Sequence, residues 1–287
     1  MRSEQEMYDL ILNTALQDER IRVVILNGSR ANPNAPRDFF QDFDVVYVVT
    51  DPVPFTRNLD WIRRFGDLMI LQLPDDMGDP SPSEHGTYAY LMQFMDGNRI
   101  DLTFYPLGEV KKCMEDTLTV VLLDKDNLIG ELPPPSDLGY FPERPTEKMY
   151  DDCCNEFWWM NPYVAKGLWR GELTYAKYMM EIVNEQLMKM LTWYFGIKTG
   201  FQKAPGKLGK YIRYNIERRL WDQLERTYAD SQPENNWQAL FEMGELFREL
   251  GKSVGNTFGY HYPEQDDQNV SNYIKKIKTL PRDSDVI

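Results

Sequence analysis

Histidine and cysteine are scarce in this chain, and long apolar runs are missing. There are two histidines, His85 and His261, so a histidine-rich zinc site is not expected. The three cysteines, Cys113, Cys153 and Cys154, have neither disulfide-framework nor zinc-ribbon spacing, which fits a reducing cytoplasm. The adjacent pair Cys153-Cys154 also lacks the C-x-x-C spacing of a redox motif. No stretch approaches the roughly 18 apolar residues of a membrane span, and the opening MRSEQEMYDL has no apolar leader segment. Positive charge is in deficit. The 32 Lys and Arg against 45 Asp and Glu leave a net charge of −13, which repels nucleic-acid phosphates and anionic membranes and favours a cationic partner. What is abundant is apolar and aromatic residues, 42% and 13%, enough to place 287 residues among globular chains with one large domain or two ordinary ones.

Along the chain, Ser3 and Glu6 form a capping box before Met7, Leu10, Ile11 and Ala15 at helical spacing, so a helix is expected over 3–18. Strands follow at Ile21 to Leu26 and Phe43 to Val49, a short helix at Phe55 to Phe65, and a third strand at Leu68 to Leu73. Tyr88 to Met95 and Arg99 to Tyr105 flank Asp96-Gly97-Asn98, a hairpin signal. Val120 to Leu123 is a further strand for the same sheet. The run Pro133-Pro134-Pro135, with Pro142 and Pro145 behind it, marks a boundary. Beyond it the pattern turns helical, over 146–197, 210–228, 233–256 and 264–279. The expectation is an α/β domain over 1–135 and an α-helical domain over 146–287.

The informative stretch is GSRANPNAPRDFFQDFDVVYVV, residues 28 to 49. Gly28-Ser29 closes a strand, where glycine allows close backbone approach and Ser29 can donate to a phosphate oxygen. Asp42 and Asp44 open the next strand two residues apart, so both carboxylates project from one face, and the apolar Val45 to Val49 behind them marks a buried strand. Paired carboxylates at a buried sheet edge repel each other unless a cation or proton neutralises them, and hard oxygen donors suit Mg²⁺. On Arg99 to Tyr105, Ile100, Leu102 and Phe104 form the apolar face while Asp101 and Thr103 point the other way, and an acid in such a strand is costly unless paired, hydrated or on a metal; if the strand lies beside 43–49, Asp101 joins the pair. Gly206-Lys207 is no phosphate loop, because Leu208 stands where Ser or Thr is needed and no strand precedes it.

Gly-Ser, a twelve-residue interval, Asp-x-Asp and a third acid on a later strand together resemble the nucleotidyltransferase superfamily. GSRANP, DFFQDFDVVYVV, RIDLTFYP and DDCCNEFWWMNPYVAKGLWRGELTYAK resemble, more closely, the aminoglycoside 6-adenylyltransferases that modify streptomycin, over most of the chain. The resemblance implies a mixed sheet with flanking helices followed by a helical acceptor-binding domain. It implies transfer of AMP from ATP to a hydroxyl, the 6-position of streptomycin, with pyrophosphate leaving and antibiotic resistance as the outcome. It makes Asp42, Asp44 and Asp101 the catalytic and Mg²⁺-binding acids, with two ions as one catalytic route and Asp101 as general base as another. Gly28, Ser29 and Arg30 would sit at the nucleotide, joined by Lys177. Asp152 and Glu156, at i and i+4 on one helix face, would receive the acceptor's cations, with the acidic segment Glu264 to Asp267 as the other candidate. The same fold acting on a lincosamide or a protein side chain, or a non-catalytic antitoxin-like nucleotide-binding module, are the rival readings. ATP and a cationic small molecule are the expected partners, with neither nucleic acid nor membrane.

Overall fold

Ser3 starts the first helix as its sequence demands. Its hydroxyl accepts from the Glu6 amide at 3.3 Å, while the Glu6 carboxylate accepts from the Ser3 amide at 2.7 Å. The computed structural model describes residues 1–78 and 86–282, so His85 lies outside the described residues. The chain divides into two units, Met1–Gly139 and Tyr140–Ile287.

In the first unit α1 (Glu4–Gln17) is followed by β1 (Ile21–Asn27), a single turn α2 (Gly28–Ala31) and β2 (Phe43–Val49). Then come α3 (Leu59–Ile62), β3 (Leu68–Gln72), β4 (Tyr88–Phe94), β5 (Arg99–Pro106) and β6 (Thr119–Asp124). Among the described residues these six strands form one mixed sheet in the order β3-β4-β5-β2-β1-β6. β2 and β5 run parallel; every other neighbouring pair is antiparallel.

Alternation divides each strand between two faces. Phe43, Val45, Tyr47 and Val49 of β2 pack with Ile100, Leu102 and Phe104 of β5 and with Met7, Ile11 and Ala15 of α1. The buried Tyr47 hydroxyl donates to the Ile11 carbonyl at 2.7 Å and ties that helix down. Val46 and Val48 point the other way, into a smaller cluster with Val23, Ile25 and Cys113. The sheet is therefore covered on both faces, which accounts for the unbroken apolar run in β2.

The expected helix over 55–65 is broken. Arg57 takes a positive φ of 53°, and Asn58 then caps the four-residue α3 through its side chain, so only single turns form.

The second unit is helical: α4 (Glu147–Arg170), α5 (Leu173–Thr199), α6 (Arg218–Arg226), α7 (Pro233–Phe258) and α8 (Glu264–Thr279). The amphipathic stretch over 146–197 holds two helices. Gly171 sits at φ +76° as a left-handed cap, its amide turned back on the carbonyls of Gly167 and Leu168. Phe157 of α4 stacks on Phe247 of α7 at 3.7 Å between ring centres, and Cys153 and Cys154 are buried in the same core as free thiols. Gly206-Lys207 follows a helix and opens one short turn, as the missing strand required. No helix among the described residues is long and apolar enough to cross a membrane.

Candidate active site

The parallel ladder between β2 and β5 sets Asp44 directly opposite Asp101. Neighbouring strands lie about 4.8 Å apart, so the two carboxylates leave the same sheet face as close neighbours. Both continue the face of Val46, Val48 and Tyr105, just past its last apolar side chain. The row extends across the sheet, for Asn27 of β1 pairs with Asp44 and with Thr119 of β6. The Thr119 hydroxyl donates to the Asn27 side-chain oxygen at 3.0 Å. Asp101, Asp44, Asn27 and Thr119 thus make a polar row over four strands, with Asp42 two residues before Asp44.

Gly28 follows β1 at φ +72°, a conformation glycine adopts without strain. Space matters as much here as torsion. A Cβ on Gly28 would collide with Oδ2 of Asp44, so the missing side chain is the room in which that carboxylate lies. Ser29 is half-buried beside it, and its carbonyl accepts from the Gln41 side-chain amide at 3.2 Å. Gly-Ser and Asp-x-Asp, twelve residues apart in sequence, are joined by that bond.

Arg30 is buried, with its guanidinium stacked 3.7 Å from the centre of the Phe43 ring. Nε donates to the Asp42 carbonyl at 3.1 Å, Nη2 to the Gln41 carbonyl at 2.7 Å, and Nη1 to the Glu4 carboxylate at 3.0 Å. It is a clamp under the Asp42 backbone. Its neighbour in sequence, Ser29, is the residue that remains at the site's surface.

The cation among these acids is Arg99. It lies on β5 two residues before Asp101, hence on the same face, and binds both Asp101 oxygens at 2.8 Å while standing 3.6 Å from Asp42. That contact holds the Arg99 guanidinium pKa above its ordinary value. Among the described residues no group of three His, Cys, Asp or Glu side chains is gathered to hold a metal ion as it stands. The donors nevertheless fit Mg²⁺ in kind, being hard carboxylates on one sheet face, with a glycine-made recess over Asp44. Arg99, on both Asp101 oxygens and beside Asp42, is a positive charge already set among these acids.

In the helical unit Asp152 is exposed and paired with Lys148, and Glu156 is half-buried one turn on. The Lys177 ammonium donates to the Ala229 carbonyl at 2.6 Å. Arg99, Asn27 and Thr119 were not singled out from the sequence. R-x-D on an alternating strand was a legible signal for Arg99. The other two become neighbours of Asp44 only through the sheet's register.

With this geometry in view, the comparisons with known proteins bear on its chemistry. The family described as "Streptomycin adenylyltransferase" matches residues 1–277. An aminoglycoside 6-adenylyltransferase of Campylobacter jejuni is 43% identical over 281 residues, covering 97% of this chain and 96% of that protein. A protein of the same name from Bacillus subtilis (strain 168) is 41% identical over 270 residues, covering 93% and 95%. One from Staphylococcus aureus is 34% identical over 278 residues, covering 96% and 98%.

Proposed function

The chain belongs to the streptomycin adenylyltransferase family, and from that premise we propose that it transfers AMP from ATP to a hydroxyl of an aminoglycoside, the 6-hydroxyl of streptomycin, releasing pyrophosphate and so inactivating the antibiotic. The observation that carries this reading is the in-register pairing of Asp44 with Asp101 beside the Gly28 recess. That arrangement supplies carboxylates and a close-approach backbone at one spot.

Gly28 and Ser29 receive the triphosphate, where the absence of a Cβ allows the phosphates near the main chain. Asp42, Asp44 and Asp101 would hold Mg²⁺, which when bound neutralises phosphate charge and polarises the α-phosphorus. Arg30 holds the Asp42 backbone in place from below. Asp101, once parted from Arg99, is placed to take the proton of the acceptor hydroxyl as its oxygen bonds to the α-phosphorus. The bond from that phosphorus to the bridging oxygen breaks, and pyrophosphate leaves in line. Lys177 is the helical unit's candidate for the nucleotide, and Asp152 with Glu156 for the acceptor's ammonium and guanidinium groups.

The test is incubation with ATP, Mg²⁺ and a panel of aminoglycosides, followed by product masses. A gain of one adenylyl group on streptomycin supports the reading. Transfer to none of the panel, with ATP consumed on a lincosamide or on a protein, would move the acceptor class.

A further inference from the structure

A groove of about 480 Å³ runs along the seam of α4 and α8, within the size range of small-ligand sites. Each wall is one helical stripe. Asn155, Trp159, Tyr163 and Lys166 come from α4, and Asp266 and Asn269 from α8, with Tyr273 one further turn along. Trp159 lines the groove and is 61% exposed, so much of its ring is open to a ligand. Its ring stands 6.4 Å from that of Tyr163, and the Lys166 ammonium already rests 5.3 Å from the centre of the Tyr163 ring. The aromatic wall is thus one on which a cation sits. Pro162, also in the lining, lies inside α4 and has no N–H, so the carbonyl of Trp158, a lining residue one turn back, receives no amide from it.

We propose that this groove binds a cationic, polyhydroxylated ring of the acceptor, an aminocyclitol or amino sugar. The inference rests on the adenylyl-transfer reading for its ligand class. The flat C–H face of such a ring covers Trp159, its ammonium or guanidinium group meets Asp266, and its hydroxyls bond Asn155 and Asn269. Aromatic walls with a few placed polar groups are the usual build of small-molecule sites. One acid and one base among eight polar and aromatic groups select a ring bearing both hydroxyls and charge over a bare polycation. Asp152 and Glu156 stand on the same α4 face a turn or two before Trp159, extending the acidic approach.

The test is calorimetry of streptomycin, and of each aminoglycoside that is turned over, binding to the intact protein without ATP. Trp159→Ala and Asp266→Asn should each raise Kd about tenfold, the scale of a cation–π or exposed charged contact. Trp159→Phe should recover most of the loss, and ATP affinity should not move. Because Trp159 is exposed, unchanged melting of the variants separates lost binding from lost folding. An aminoglycoside that is adenylylated, yet binds the double variant as it binds the wild type, overturns the groove and leaves the transfer reading standing. Binding that weakens in the variants without any adenylyl transfer in the wild type upholds the groove and overturns the transfer reading. A change in self-association on sedimentation, with ligand affinity unmoved, overturns the proposal by giving the groove to a second copy.

Discussion

Gly28 carries two constraints at one atom: a left-handed φ and a recess filled by the Asp44 carboxylate. Gly28→Ala should therefore displace Asp44 and add about 1 kcal/mol of backbone strain. We expect adenylyl transfer to fall by roughly a hundredfold or more, as displacing a placed catalytic group does, while circular dichroism stays native. Full turnover in that variant would show that the recess is not needed. Asp101 poses a sharper question, since Arg99 covers both its oxygens. Asp101→Asn should keep measurable Mg·ATP affinity and lose roughly 10²–10⁴-fold in kcat, the range of general-base catalysis. Calorimetry beside single-turnover kinetics checks this, and a collapse of nucleotide affinity equal to that of Asp42→Asn would make Asp101 a metal ligand first. At this scale the juxtaposition of Asp44 and Asp101 was legible, from an acid pair opening an apolar run and one acid on the face opposite Ile100, Leu102 and Phe104. Arg30 did not, because an arginine after Gly-Ser can turn toward a ligand or beneath the loop. What decides is Glu4, on a helix the local sequence does not foretell as a neighbour.

At the scale of elements, periodicity located β1, β2, β4, β5, α7 and α8 closely, since each buries a regular stripe or alternating face. It misjudged 55–65 and did not locate the break within 146–197, where a single residue with positive φ, Arg57 or Gly171, interrupts an otherwise helical pattern. Glycine inside an amphipathic stretch reads the same whether it caps a helix or lies within one. Between α7 and α8 a buried polar contact holds the packing. Asp267 is 2% exposed and receives Arg248 through Nε and Nη2, both at 2.6 Å, and the Tyr262 and Ser271 hydroxyls at 2.9 and 3.0 Å. Removing one partner of such a pair strands the other. Because Arg248 is itself 34% exposed and can be hydrated, Asp267→Ala should cost about 2–3 kcal/mol, visible as an earlier thermal transition, and a loss under about 1 kcal/mol would show the pair to be dispensable.

For the whole molecule, the net charge of −13 acts as a field before any contact is made. Such a field draws in a polycation and does not draw in an anion such as MgATP. Raising salt from a few millimolar to a few hundred should weaken acceptor binding markedly, mainly by slowing association, and should leave or slightly improve nucleotide affinity. Stopped-flow association rates at several ionic strengths test the sign, and a salt-independent acceptor rate would show that steering contributes nothing.

The parallel pairing of β2 with β5 has a consequence for how the molecule comes together in time. Asp44 and Asp101 are separated in sequence by the chain that carries β3 and β4, so their contact closes one of the sheet's long loops. Non-local pairings of this kind form slowly, because loop-closure entropy must be met before any contact rewards it. The α4–α5 hairpin, turned tightly at Gly171, is local and has no such delay. In refolding, helical signal should return first and nucleotide binding last. A refolding chain would thus pass first through a state that is helical but catalytically blank, its two acids not yet side by side.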